Sequence, residues 1–192
     1  MASLVRRERE ALCDLAVKLG PDAPTLQAGR TVADVVGDLL AVERRARVHG
    51  GFADMVERLR RPGLTWLVLP GIRRLTLLDL VVAHEDLRRS RRDVRIGRRL
   101  TEADDDALWR ALGRSARRLF RDAPVPVVVA RSDPPKSTRT VLAGPQPVVI
   151  TGMPLELVLA AHGRHRLDNV SIRGPRPSVD RMRTAGFYVF LG

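Results

Sequence analysis

Apolar and polar positions divide the chain into two kinds of pattern. Leu4, Ala11, Leu12, Leu15 and Leu19 recur at three- and four-residue steps, which predicts a helix over 3–19, and Gly20-Pro21 stops it. A Pro-containing loop runs to Arg30. Thr31-Val32-Ala33-Asp34 then reads as a capping-box start to a second helix, whose stripe is Val32, Val35, Val36 and Leu39, with Asp38 at the stripe's edge. A short third helix is expected over 52–59, ended by Arg61-Pro62-Gly63. From about Leu75 to Arg89 a further helix is expected. Its apolar residues from Leu77 to Ala83 fall all round the wheel, as in a helix buried on several sides, and Asp79 sits among them. A second capping-box start, Thr101-Glu102-Ala103-Asp104, opens a helix carrying Leu108, Trp109, Leu112, Ala116, Leu119 and Phe120.

Beyond Asp122-Ala123-Pro124 the period shortens. Val125–Ala130, Thr138–Leu142 and Pro147–Thr151 read as strands around a Ser132-Asp133-Pro134-Pro135 turn. A helix over 155–163, a strand over 170–173 and a terminal helix beginning near Ser178 complete the order. The fold class is therefore α+β: a helical domain over 1–122, followed by a small α+β domain over 123–192.

Composition narrows the classes of function. At 192 residues and 44% apolar content the chain can build a real core, though aromatics are only 4% and the core must be Leu, Val and Ala. The net charge is +12, almost all of it Arg, spread in pairs such as Arg44-Arg45, Arg73-Arg74 and Arg117-Arg118. Without a helix-turn-helix, zinc-finger or aromatic RNA-binding signature, that spread fits a solvated surface better than nucleic-acid recognition. Cys13 is alone, which rules out a disulfide within the chain, and a buried small residue accounts for it. No signal-peptide core or membrane-length apolar run is present, so a cytoplasmic protein, monomer or dimer, is expected.

Several segments together resemble a known family. The opening Leu-Val-Arg-Arg-Glu-Arg, the Thr31–Leu39 helix start, His84-Glu85-Asp86-Leu87-Arg88-Arg89, Ala107-Leu108-Trp109 and Thr151-Gly152-Met153-Pro154-Leu155-Glu156-Leu157 are similar to the mycothiol-dependent maleylpyruvate isomerase family. That family is a branch of the DinB-like metal-binding four-helix bundles with a small C-terminal domain. The resemblance implies a divalent metal held by a His on the second helix and a Glu-x-x-x-His pair on the buried helix, with mycothiol as a possible cofactor. These positions fall on Asp38, Asp79 and Ala83, and the family's Trp before the second helix falls on Arg30. The usual ligand set is thus replaced, so no metal ligand is assigned. Two carboxylates can bind a divalent ion such as Mg²⁺, Ca²⁺ or Mn²⁺ only weakly, through water. His84 lies five positions from Asp79, about 140° around the helix, and does not take over the place of Ala83.

Three functions follow from the resemblance and the replaced residues. In the first, a small-molecule enzyme of isomerase, cyclase or lyase type works without the usual metal. Asp38 and Asp79 transfer protons, with His84 as a further catalytic candidate, and Arg30 and Trp66 hold the substrate. The second is a non-catalytic small-molecule-binding or interaction protein with a degenerate site. The third is a mycothiol-dependent, metal-using transferase or isomerase. The structural alternatives are plain: Asp38 and Asp79 each pair with a nearby Arg, Arg30 being a candidate, His84 on its helix face bonds a local acid, and Glu85, Asp86, Arg88 and Arg89 form a charge network within one helix. His162 and His165, beside Gly163, serve a helix end.

Overall fold

The computed structural model describes residues 2–44, 50–61, 76–91 and 96–186. They form seven helices and a four-stranded mixed sheet, an α+β fold. Packing divides the chain into two compact units, Met1–Arg95 and Ile96–Gly192. The division falls well before the change of sequence pattern near residue 122. The helix opened by Thr101 therefore belongs with the strands. Its physical reason is visible in the contacts: that helix packs against the helix following the third strand and against the second strand.

The first unit contains α1 (Ala2–Leu19), α2 (Val32–Arg44), α3 (Phe52–Arg60) and α4 (Leu77–Arg89). α1 packs along α4 and α3, and α2 packs on α3 and α4. Leu12, Cys13 and Ala16 of α1, Val32, Val36 and Leu40 of α2, Val56 and Leu59 of α3, and Leu80, Ala83 and Leu87 of α4 form one apolar core. The three- and four-residue spacing of each set places it on one helix face. As the Thr31-x-x-Asp34 pattern implies, α2 starts with a capping box: the Thr31 N–H and hydroxyl both donate to Asp34 Oδ2, and the Asp34 N–H donates to Thr31 Oγ1.

α4 begins at Leu77 with Thr76 as its N-cap. Leu75, the expected start, lies outside the described residues, as does the 64–70 segment with Trp66. Of the thirteen residues of α4, all but Asp79 and Arg88 are buried. The apolar run to Ala83 is buried all round as its pattern predicts. The charged turn that follows is buried too, which the pattern does not predict.

The second unit contains α5 (Glu102–Leu119), β1 (Val127–Arg131), β2 (Thr138–Leu142), β3 (Val148–Gly152), α6 (Pro154–Ala161), β4 (Ser171–Arg173) and α7 (Arg176–Thr184). The strands lie in the order β2-β1-β3-β4. β1 runs parallel to β3, with Val127 opposite Val148 and Arg131 opposite Gly152, and antiparallel to β2. β4 is antiparallel to β3. α6 is buried along its whole length against β1, β3 and α5, so its eight residues need no polar face. Gly174, at φ +159, has the Pro147 carbonyl only 2.9 Å from where a Cβ would stand, which restricts that turn after β4 to glycine.

Candidate functional site

The residues singled out from the sequence do not gather into one site. Asp79 is the third residue of α4, and its Oδ2 accepts 2.8 Å hydrogen bonds from both the Thr76 backbone N–H and the Thr76 hydroxyl. In return the Asp79 N–H donates to Thr76 Oγ1. This is a complete capping box, which satisfies donors that a helix start leaves open and sets a negative charge at the positive end of the helix dipole. Asp79 is half-buried rather than enclosed among the leucines. The acid that looked misplaced in a buried run is where a helix start calls for one.

Asp38 lies on the outside of α2, with 66% of its side chain exposed, and forms an ion pair with Arg30. Arg30 is delivered by a compact loop. The Thr25 N–H donates to the Arg30 carbonyl, the Arg30 N–H to the Gln27 carbonyl, and Gly29 supplies the positive φ between them. Of the two acids expected to pair with a nearby Arg, Asp38 does so, with Arg30, whereas the bonds described for Asp79 are those of its cap with Thr76. Ala83, at the third position of the expected ligand set, is buried in the core.

His84 is buried and its Nδ1 stands 2.8 Å from Oε2 of Glu8, itself buried on α1. Next to it in sequence, Glu85 is fully buried and accepts from both arginines that follow. Arg89 Nε donates to Oε2 at 2.5 Å, and Arg88 Nη2 donates to the same oxygen at 2.7 Å. Arg89 is itself fully buried. Residues three and four apart share a helix face, so one carboxylate can meet both guanidinium groups. Asp86 also reaches outside its own helix. Its Oδ2 accepts from Gln27 Nε2 at 2.8 Å and its carbonyl accepts from the Leu26 N–H, which ties the 21–31 loop to α4. Arg9 completes the polar packing of the unit, donating to Glu43 at 2.6 Å and to the Leu59 carbonyl at 2.7 Å.

These partners are separated by 76 residues for Glu8–His84 and 59 for Gln27–Asp86, so no local motif announces them. The exception is Thr76-x-x-Asp79, a local pattern of the same form as Thr31-x-x-Asp34 and Thr101-x-x-Asp104, set among leucines that point to burial.

Cys13 is buried, and its thiol is pushed up to about 11, chiefly by burial, which suits a core residue. His162 caps the end of α6, with Nδ1 2.8 Å from the Val158 carbonyl.

A metal needs several unengaged donors around one point. Here one position of the implied set is paired with Arg30, the second closes a helix cap and the third is a methyl group. No group of three or more His, Cys, Asp or Glu side chains converges among the described residues. The residues present do not fit the metal that the resemblance implies. No helix among the described residues is long and apolar enough to cross a membrane.

The second unit has its own ionic cluster. Arg131, at the end of β1, is 4% exposed; its Nε donates to Asp133 Oδ1 at 2.9 Å and its Nη1 to Asp106 Oδ1 at 2.6 Å, with a second contact to Asp133. Asp105 is buried beside them. Burial foremost, then the charge of Asp133, raises its carboxyl to about 6, against the opposing pull of Arg131. Comparison with protein-family models, curated proteins and solved structures finds no match to the chain.

Proposed function

We propose that the chain is a non-catalytic relative of the DinB-like, maleylpyruvate isomerase-type bundles, a small-molecule-binding or interaction protein in which the former ligand positions serve the scaffold. One observation carries this reading. The Asp79 carboxylate closes a capping box, so the group that would act on a metal or a substrate proton is committed to the start of its own helix. Asp38 supports the same reading, since it is exposed and paired with Arg30. The enzyme reading needs both carboxylates directed at a substrate held by Arg30. The thiol-dependent reading needs a third donor where Ala83 stands.

Incubating the protein with Zn²⁺, Mn²⁺ or Mg²⁺, desalting it and measuring bound metal tests this directly. The expected outcome is no retained metal and no shift of the melting temperature, while Asp79→Ala lowers stability by about 1 kcal/mol through loss of the cap. Stoichiometric metal that disappears in Asp38→Asn and Asp79→Asn would overturn the proposal. So would mycothiol-dependent turnover of maleylpyruvate that Asp79→Asn abolishes.

A further inference from the structure

The second unit carries a cavity that this reading does not use. It lies where the parallel strands β1 and β3 end, measures about 380 Å³, and is lined by Arg131, Ser132, Lys136, Ser137, Thr138 and Thr151, with Ala130 adding an apolar wall. The size suits a small organic molecule rather than a bare ion. Ligands commonly seat beyond the carboxyl ends of parallel strands, where the chain leaves the sheet and its loops can surround them.

The walls are held in place before any ligand arrives. The Arg131 N–H donates to the Ser137 carbonyl at 3.0 Å and the Ser132 N–H to the Gly152 carbonyl at 2.9 Å. Between those two ties, the buried Arg131 guanidinium grips Asp133 within the 132–137 loop and Asp106 on α5. A loop fixed at both ends and in the middle loses little conformational entropy on binding.

Most of the accessible lining is apolar, and its charge is one-sided. Lys136 has no carboxylate partner among the described residues, and neither Asp133 nor Asp106 lines the cavity, both being engaged by Arg131. The hydroxyls of Ser132, Ser137, Thr138 and Thr151 make no hydrogen bond to another described residue, unlike those of Thr31, Thr76 and Thr101, which cap helices. A planar carboxylate is matched best by a guanidinium fork, and the one arginine here is already occupied. An ammonium point charge with several rotatable hydroxyls matches a tetrahedral group with many acceptor oxygens. The wider field agrees in sign, with sixteen basic against nine acidic residues from 96 to 192.

We propose that this cavity binds the phosphate monoester of a small metabolite, with Lys136 and the surrounding hydroxyls on the phosphate and the apolar wall against the organic body. Backbone amide chemical shifts of the full chain, titrated separately with phenyl phosphate, inorganic phosphate and benzoate, test it. Phenyl phosphate is expected to shift residues 130–138 and 151 saturably and to bind more tightly than inorganic phosphate, with benzoate weakest. Lys136→Gln should weaken phenyl phosphate about tenfold, the scale of one charge-assisted contact, and Thr151→Val several-fold. Lys18→Gln, on α1, should change nothing. Unsaturable shifts spread over the arginine-rich surface, a response to benzoate equal to that of phenyl phosphate, or unchanged binding in Lys136→Gln would each overturn the site. Tighter binding of inorganic phosphate would overturn the organic substrate class. None of these outcomes touches the role of Asp79, which the metal and stability measurements read in the other unit.

Discussion

Both units bury arginine, and they balance its charge differently. In the first, Arg89 and Arg88 converge on one buried carboxylate, that of Glu85. In the second, Arg131 takes two carboxylates, Asp106 and Asp133, and a third, Asp105, is buried nearby without the same relief. In the first arrangement the buried carboxylate accepts from two guanidinium groups. The second raises one carboxyl into the range where pH acts on it. A buried ion pair is costly to desolvate and weak grounds for stability in itself, but an unbalanced one becomes a titrating element.

The largest expected effect comes from breaking the first cluster. Arg89→Met removes a fully buried guanidinium and a close donor to the buried Glu85 carboxylate, at a cost of about 3 kcal/mol in urea unfolding. Adding Glu85→Leu to that variant should recover most of the loss, because no carboxylate is then left underpaired. If the double variant is no more stable than the single one, the cluster owes its place to packing rather than to charge.

Asp105→Asn should act in the opposite direction, and only over part of the pH range. A carboxyl raised from 3.8 to about 6 on folding binds its proton more tightly in the native state. Its contribution therefore destabilises the fold above pH 6, and the penalty is relieved as pH falls from 6 toward 4. The variant should gain up to about 2 kcal/mol at pH 7.5 and nothing at pH 4. A pH-independent effect would show that Asp105 does not titrate across this range. Smallest of all is Asp38→Asn. Because the Arg30–Asp38 pair is solvent-exposed, thermal unfolding should move by no more than about 0.5 kcal/mol.

The same contrast marks what the sequence could disclose. Helix positions, the apolar stripes and the caps at Thr31 and Thr101 depend on residues three or four apart, and they appear where expected. The α+β class follows from the same short-range periodicity. The long-range partners are another matter. Glu8 looks like one more surface acid on an amphipathic helix, and Ser132-Asp133-Pro134-Pro135 looks like a turn and nothing else. Arg131 acquires its role only when β1 ends beside α5. Asp79 is the instructive residue. The resemblance and an apolar neighbourhood point to chemistry there, whereas the structure gives it to the helix cap with the Thr three residues earlier. His84 likewise has a buried acid for a partner, though the acid comes from the far end of the unit rather than from its own helix.

That separation bears on how the first unit is made. α1 leaves the site of synthesis early, but the imidazole that receives Glu8 follows 76 residues later, on the helix against which α1 packs most extensively. Until α4 has emerged, α1 can pack only on α3 and a little of α2, without its most extensive partner, and a nascent chain ending before Arg89 holds an incomplete core. The helices are local, but the closure that joins the first to the last is not, and bringing such distant segments together slows folding relative to a bundle closed by neighbours alone.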